Sequence, residues 1–204
     1  MARNLEEMSF QELGQLFPIL LVAYNPNWIS CYEKEKEAIL QKLGEGAVEA
    51  IHHIGSTVVP GMIAKPTIDI LLEIKQHASP EAIKESLGAI GYRYSPQPKN
   101  PPPHMMFMKG YTPQGFRGQA YHVHVRYPGD WDELYFRDYL ISHPETALEY
   151  AKLKQDLKAR FEHDRESYTQ GKGSFVQAVV QHARQAMKLH LDDTADVVLP
   201  FPSD

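Results

Sequence analysis

The stretch from Ile51 to Ile74, IHHIGSTVVPGMIAKPTIDILLEI, sets the tightest limit on what this chain can fold into. An apolar segment runs into Gly55-Ser56. A second, 67–74, carries Ile68, Ile70, Leu72 and Ile74 in alternation with Asp69, Leu71 and Glu73. Alternation with period two is the pattern of a strand. Glycine permits close backbone approach and unusual φ, so the N–H groups around Gly55 can face an anion. Ser56 and Thr57 add hydroxyl donors. Asp69, flanked by Ile68 and Ile70, is held on a rigid element where it can position a divalent cation. Together these features predict a phosphate cradle and a cation-binding carboxylate on adjacent strands.

The rest of the chain reads as one domain. Its 204 residues are 43% apolar and 23% charged, an ordinary globular composition. The apolar run 17–23 is far shorter than the roughly 20 residues a spanning helix needs, and it lacks the basic leader and small-residue cleavage site of a signal peptide. A membrane or secreted protein is therefore disfavoured, and a cytoplasmic location is expected. The single cysteine, Cys31, makes no internal disulfide and has no recognisable base partner, which fits a reducing compartment. The formal net charge is −5, and the acids of 191–204 account for four of those charges. The body is then close to neutral, with no footprint for non-specific nucleic-acid binding.

The expected elements are a short helix over 4–16, a strand near 18–24, and a helix opened by Asn25-Pro26-Asn27 and ended by Gly44. Strands follow at 48–54 and 67–74, then a helix capped by Ser79 with Pro80 at its first position. Residues 95–103 (SPQPKNPPP) form a stiff extended loop, either a plain surface connection or a flap over a site. Segments 104–109 and 120–126 read as a hairpin around a turn rich in Gly110, Gly115 and Gly118. Helices are expected at 131–141, from Pro144 onward, and at 174–189, with 191–204 as an acidic tail. The fold class is therefore α+β: a mixed sheet with helices packed against it and a helical C-terminal part over about 130–190.

The spacing of Gly55-Ser56 and Asp69 resembles the signature of polymerase-β-type nucleotidyltransferases. More specifically, HIGSTVVPG, AKPTIDI, YHVHV, WDELYFRDYL, ISHPE and ALEYAKLK resemble the GrpB family of bacterial proteins, over most of the chain from 22 to 176. The resemblance implies a single nucleotidyltransferase-like domain over 1–190, in a family sometimes joined to dephospho-CoA kinase. It implies that Gly55 and Ser56 contact phosphate and that Asp69 is the first metal-binding carboxylate. The second carboxylate belongs two residues on, where this chain has Leu71; Glu73 lies a further two along, about 6.6–6.8 Å by strand rise. The third belongs on a neighbouring strand, for which 121–126 offers His122 and His124.

This departure shapes the expected chemistry. Two-metal phosphoryl transfer needs carboxylates to hold cations about 3.5–4 Å apart, and Mg²⁺ prefers oxygen. One Mg²⁺ brought by nucleotide phosphates could touch Asp69. Alternatively His122 and His124, on one strand face, could complete a two-histidine, one-carboxylate set for Zn²⁺, Mn²⁺ or Fe²⁺. Lys65 and His53 are further candidates to hold phosphate or substrate, beside Gly55, Ser56 and Thr57; His52 and His53 face opposite ways, so at most one points at the site. Lys109, Arg117 and Arg126, near the hairpin, could face an anionic ligand, but read first as solvated surface charges. Gly171-Lys172-Gly173-Ser174 fails the spacing of a phosphate-binding loop of the Walker type.

Three functions follow. The first is transfer of a nucleotidyl or phosphoryl group from a nucleotide or other small phosphate-bearing molecule to a small acceptor, with Asp69 and His124 in the reaction. The second is a non-catalytic nucleotide-binding or regulatory module, suggested by Leu71. The third is a metal-dependent hydrolase built on the His-x-His strand.

Overall fold

The computed structural model describes residues 5–97, 99–100 and 103–195. Five strands form one mixed sheet in the order β1-β2-β5-β4-β3: β1 (Val48–Ile54), β2 (Thr67–Ile74), β3 (Arg93–Ser95), β4 (Met105–Thr112) and β5 (Gly115–Arg126). All neighbours pair antiparallel except β2 and β5, which run parallel. Among the described residues there are seven α-helices: α1 (Phe10–Leu16), α2 (Asn27–Leu43), α3 (Pro80–Ala89), α4 (Asp132–Ser142), α5 (Pro144–Phe161), α6 (Arg165–Gln170) and α7 (Gly173–Ala195). The fold is α+β with a helical C-terminal third. No helix among these residues is long and apolar enough to cross a membrane.

The alternation in β2 divides the sheet into two unlike faces. Ile68, Ile70 and Leu72, with Val123 and Val125 of β5, pack against Trp28, Tyr32 and Ile39 of α2 and Ile83 and Leu87 of α3 in the main core. Fully burying each such side chain contributes about 1.5–3 kcal/mol. The other face carries Asp69, Leu71 and Glu73 beside His122, His124 and Arg126, in register across the parallel pair. A second cluster, Phe136, Leu140, Tyr150, Val179 and Val180 with Val59 and Met62, knits the C-terminal helices over this polar face.

Several expectations need correction. The segment 18–24 is no strand: its one ladder contact is the bridge of Val22 to Ala64, and Leu20 and Val22 stay exposed. Helix 4–16 breaks in two within the described residues, a 3₁₀ turn at Leu5–Glu7 and then α1, because Ser9 and Glu12 form a reciprocal cap that starts a new helix. The hairpin glycines lie inside β4 and β5, and the turn is Pro113-Gln114. Gly110 serves a bulge instead: at φ 89° a Cβ there would lie 2.8 Å from the Gln119 carbonyl oxygen. The helix α6 was not expected at all. The supposed tail begins inside α7, which continues to Ala195; 196–204 lie outside the described residues, as do Pro98, Pro101 and Pro102 of the proline-rich loop.

Candidate functional site

The polar face of the sheet and the helices α4 to α7 enclose a cavity of about 1030 Å³, at the upper end of the range of about 300–1,000 Å³ common for small-molecule sites. Gly55, Ser56, Lys65, Asp69, His122 and His124 all line it. The parallel register puts Asp69 opposite His122 and Leu71 opposite His124. His122 Nδ1 lies 3.1 Å from Asp69 Oδ1, and His124 Nε2 lies 3.9 Å from the same oxygen. Gly55, at φ 74°, brings the end of β1 so close to this carboxylate that an added Cβ would stand 2.7 Å from Asp69 Oδ2. The bend at 55–56 and the acid at 69 therefore share one hollow.

Electrostatics follow from that packing. Burial works to raise the Asp69 pKa, but the hydrogen-bonding imidazoles of His122 and His124 outweigh it and hold the carboxyl well below its usual range. Burial pushes the His122 pKa down, against the pull of Asp69. A neutral His122 can donate from Nδ1 to Asp69 while Nε2 accepts from the Tyr111 hydroxyl, 2.8 Å away. One ligand atom from each of Asp69, His122 and His124 lies within 4.8 Å of the others, so the set can converge on a single divalent ion. Metal at Nδ1 would move the His122 proton to Nε2, where the Tyr111 oxygen can accept it, as second-shell partners of metal-bound histidine do.

The chain was compared with known proteins. A family model described as "GrpB protein" matches residues 18–182. The chain belongs to the GrpB family. It is 34% identical over 171 residues to the UPF0157 protein YqkA of Bacillus subtilis, a match covering 82% of this chain and 48% of that protein, so the chain spans about half of that relative's length. It is 32% identical to the glutamate-rich protein GrpB of Alkalihalophilus pseudofirmus, covering 79% of this chain and 94% of the relative. A region of a dephospho-CoA kinase from Mycolicibacterium paratuberculosis is 25% identical, covering 74% of this chain and 42% of that protein. The crystal structure of GrpB from Enterococcus faecalis superposes with a TM-score of 0.68 at 28% identity, covering 82% of this chain and 99% of that one.

In this GrpB chain the position after next to Asp69 is closed to metal. Leu71 is fully buried. Glu73 is committed elsewhere: its Oε1 accepts from the Gly129 N–H and from Trp131 Nε1, both at 3.0 Å, and its Oε2 faces His52 at 3.3 Å. It anchors the entry to α4. Two further candidates fall outside the cavity. His53 sits on the opposite face, stacked on Tyr32 with ring centroids 4.6 Å apart, and its Nε2 is 2.9 Å from the buried Thr57 hydroxyl. His53 points into the core because β1 alternates and Ile54, not His53, pairs with Asp69, and Thr57, buried in the 3₁₀ turn Ser56–Val58, bonds to it there. Lys109 is no solvated charge either; its Nζ donates to Glu35 at 2.7 Å against α2. Arg126 lines the cavity and meets Glu133 at 3.4 Å.

Three cations went unrecognised in the sequence: Lys154 on α5, Arg165 at the start of α6 and Lys172 before α7 line the cavity with Lys65. Lys154 is buried; its Nζ donates to Ser56 Oγ at 3.1 Å and to the Ile63 carbonyl. Burial pushes Lys154 down to about 7, and Lys172 and Lys65 push the same way. Burial likewise takes Lys65 down to about 8, aided by Lys172 and Arg165. Among the described residues, none of these four cations has a carboxylate within ion-pair distance.

Proposed function

We propose that this chain has a nucleotidyltransferase-like fold that binds a nucleotide or another small phosphate-bearing molecule in this cavity and transfers a nucleotidyl or phosphoryl group from it to a small acceptor. The observation that carries the reading is the close approach of Gly55-Ser56 to Asp69 beside cations that lack carboxylate partners. In such transfers the protein contributes positioning and charge neutralisation. Gly55 and Ser56 hold the phosphate, Lys65 and its neighbours balance its charge, and His124 beside Asp69 serves either as a metal ligand or, where it is left unligated, as the acceptor of a proton from the attacking group. Asp69, His122 and His124 would hold one divalent cation, which would polarise a phosphoryl oxygen. Leu71 and the committed Glu73 leave no place for the paired carboxylates of a two-metal centre.

A thermal-shift panel of nucleotides and coenzyme A precursors, with and without Mg²⁺, Mn²⁺ and Zn²⁺, tests the binding. A ligand at 100 times its Kd adds about 2.7 kcal/mol, hence roughly 5–11 °C at this chain length. No shift with any nucleotide overturns the reading. Turnover lost in Asp69→Asn with the fold intact supports transfer.

The second reading, a binding module without turnover, is favoured by Leu71 alone. It requires ligand shifts with no product from any acceptor. The third, a metal-dependent hydrolase, is favoured by the convergence of Asp69, His122 and His124. It requires Zn²⁺, Mn²⁺ or Fe²⁺ in the purified protein and its loss in the His122→Ala/His124→Ala variant.

A further inference from the structure

Charges withdrawn from water are ordinarily paired. Lys154 is buried and Lys65, Arg165 and Lys172 are half-buried, yet among the described residues none of them has a carboxylate within ion-pair distance. They come from four places in the chain: the loop before β2, α5, the first residue of α6, and the link to α7. They nevertheless converge. Lys65 and Lys172 both lie over the Tyr168 ring, with Nζ 5.6 and 4.8 Å from its centroid. Lys154 lies over Tyr150 at 4.8 Å, and Arg165 over Tyr111 at 5.8 Å. The Arg165 guanidinium is further fixed by donating to the Phe17 carbonyl at 3.0 Å. Val176, in the first turn of α7, lines the same cavity. Burial lowers the pKa of all three lysines, and neighbouring cations push the same way: Lys172 and Arg165 on Lys65, Lys172 and Lys65 on Lys154, and Arg165 on Lys172.

We infer that Lys65, Lys154, Arg165 and Lys172 form a subsite for a chain of two or three linked phosphoryl groups, built mainly by the C-terminal helices and separate from the Asp69–His122–His124 cluster. It rests on the reading of the cavity as a phosphate site and names the ligand class within it. The argument is one of charge. A phosphomonoester carries only about 1.5–2 negative charges at neutral pH. Asp69 is the carboxylate that acts on Lys65 and Lys172, and it is already engaged by His122. A monoester would leave cations unbalanced in a place shielded from water, whereas a di- or triphosphate chain matches them. Lys154, donating to Ser56 Oγ, ties this subsite to the Gly55-Ser56 bend, so a phosphate chain can run from the bend toward Lys172.

Calorimetric titration of the whole protein with inorganic tripolyphosphate and with orthophosphate, at pH 7, low ionic strength and without divalent metal, tests the subsite. Tripolyphosphate should bind at least tenfold more tightly than orthophosphate. Lys172→Gln should weaken tripolyphosphate at least tenfold, while Lys42→Gln, the same charge change on the exposed side of α2, should alter it less than twofold. Lys154→Met distinguishes a ligand-binding lysine from a structural one. The ligand-free variant should melt higher than the parent and yet bind tripolyphosphate at least tenfold more weakly; a lower melting point with unchanged binding overturns the role of Lys154. Equal affinity for the two anions, or equal losses in Lys172→Gln and Lys42→Gln, overturns the subsite. If nucleotides raise the melting point while tripolyphosphate fails to bind, the subsite falls and the proposed function stands; if neither binds, both fall.

Discussion

The two ends of the cavity treat their cations oppositely. At one end Arg184 of α7 bonds Asp130 and Asp132, donating to the latter at 2.8 Å, and Arg126 meets Glu133. At the other, Lys65, Lys154, Arg165 and Lys172 face one another across the hollow without acids of their own. The first arrangement is complete in the free protein and joins α7 to the start of α4. In the proposed reading the second is completed by an anionic ligand: paired charge holds the fold together, and unpaired charge receives the phosphate chain. Reversing one charge at the unpaired end is the most severe way to break the contrast. Lys172→Glu should weaken tripolyphosphate by 100-fold or more, about 2.7 kcal/mol. Because Lys172 is only half-buried, the fold should survive, which circular dichroism checks.

The next effect is on stability. Lys154 ionises near 7 in the folded protein against an ordinary 10.5, chiefly because it is buried. Between those values the unfolded chain holds a proton that the folded chain lacks, so stability rises with pH from about 7 to about 10.5. Below that window the buried charge opposes folding by up to about 5 kcal/mol. Lys154→Met should therefore exceed the parent in urea-unfolding free energy at pH 7, and the excess should shrink as pH approaches 10.5. An excess independent of pH would mean that the folded lysine keeps its proton across this window as the unfolded chain does, and that burial does not lower its pKa.

The sequence made the sheet legible and the ligand end obscure, for physical reasons. Strands β1 and β2 could be read to the residue because burial of one face imposes period two, and that same alternation placed Asp69, His122 and His124 together once β2 and β5 were neighbours. It misled at His53, where the choice of face depended on pairing with β2. Lys154 stood in the ALEYAKLK stretch that carried the family resemblance, four residues after Tyr150 and three before Leu157. That position lies inside the apolar stripe of α5. A lysine interrupting such a stripe was the available signal. Arg165 and Lys172 gave none, since α6 is a six-residue helix without an apolar face long enough to recognise, and only tertiary packing turns them inward.

A smaller effect belongs to the closed face of the sheet, where the buried base is partnered. Burial takes His53 down to about 4 from an ordinary 6.5. Above 6.5 both states are neutral and the group has no influence. As pH falls from 6.5 toward 4 the unfolded chain gains a proton that the folded chain refuses, so stability is lost across that window, by up to about 3 kcal/mol. In His53→Gln this acid sensitivity should flatten, while binding of tripolyphosphate at pH 7 stays within twofold of the parent. Altered binding would place His53 in the ligand site after all.

The smallest effect should come from the paired end itself. Arg184 is fixed by two aspartates and lies over the Tyr135 ring, with Cζ 4.2 Å from the centroid, a geometry that looks stronger than it is. Its side chain retains 31% of its exposure and the aspartates more than 60%, so water screens the attraction and the unfolded chain forgoes little by lacking it. Arg184→Gln should shift the melting point by no more than the scatter between replicate scans and leave tripolyphosphate affinity within twofold. Asp130 and Asp132, released from Arg184, remain free to turn to solvent and do not become buried orphans. That freedom separates this end from Lys154 opposite, which is buried. A tenfold loss of tripolyphosphate in Arg184→Gln would show that the phosphate chain reaches across the whole cavity, and that pairing in the free protein does not exclude a cation from the ligand site.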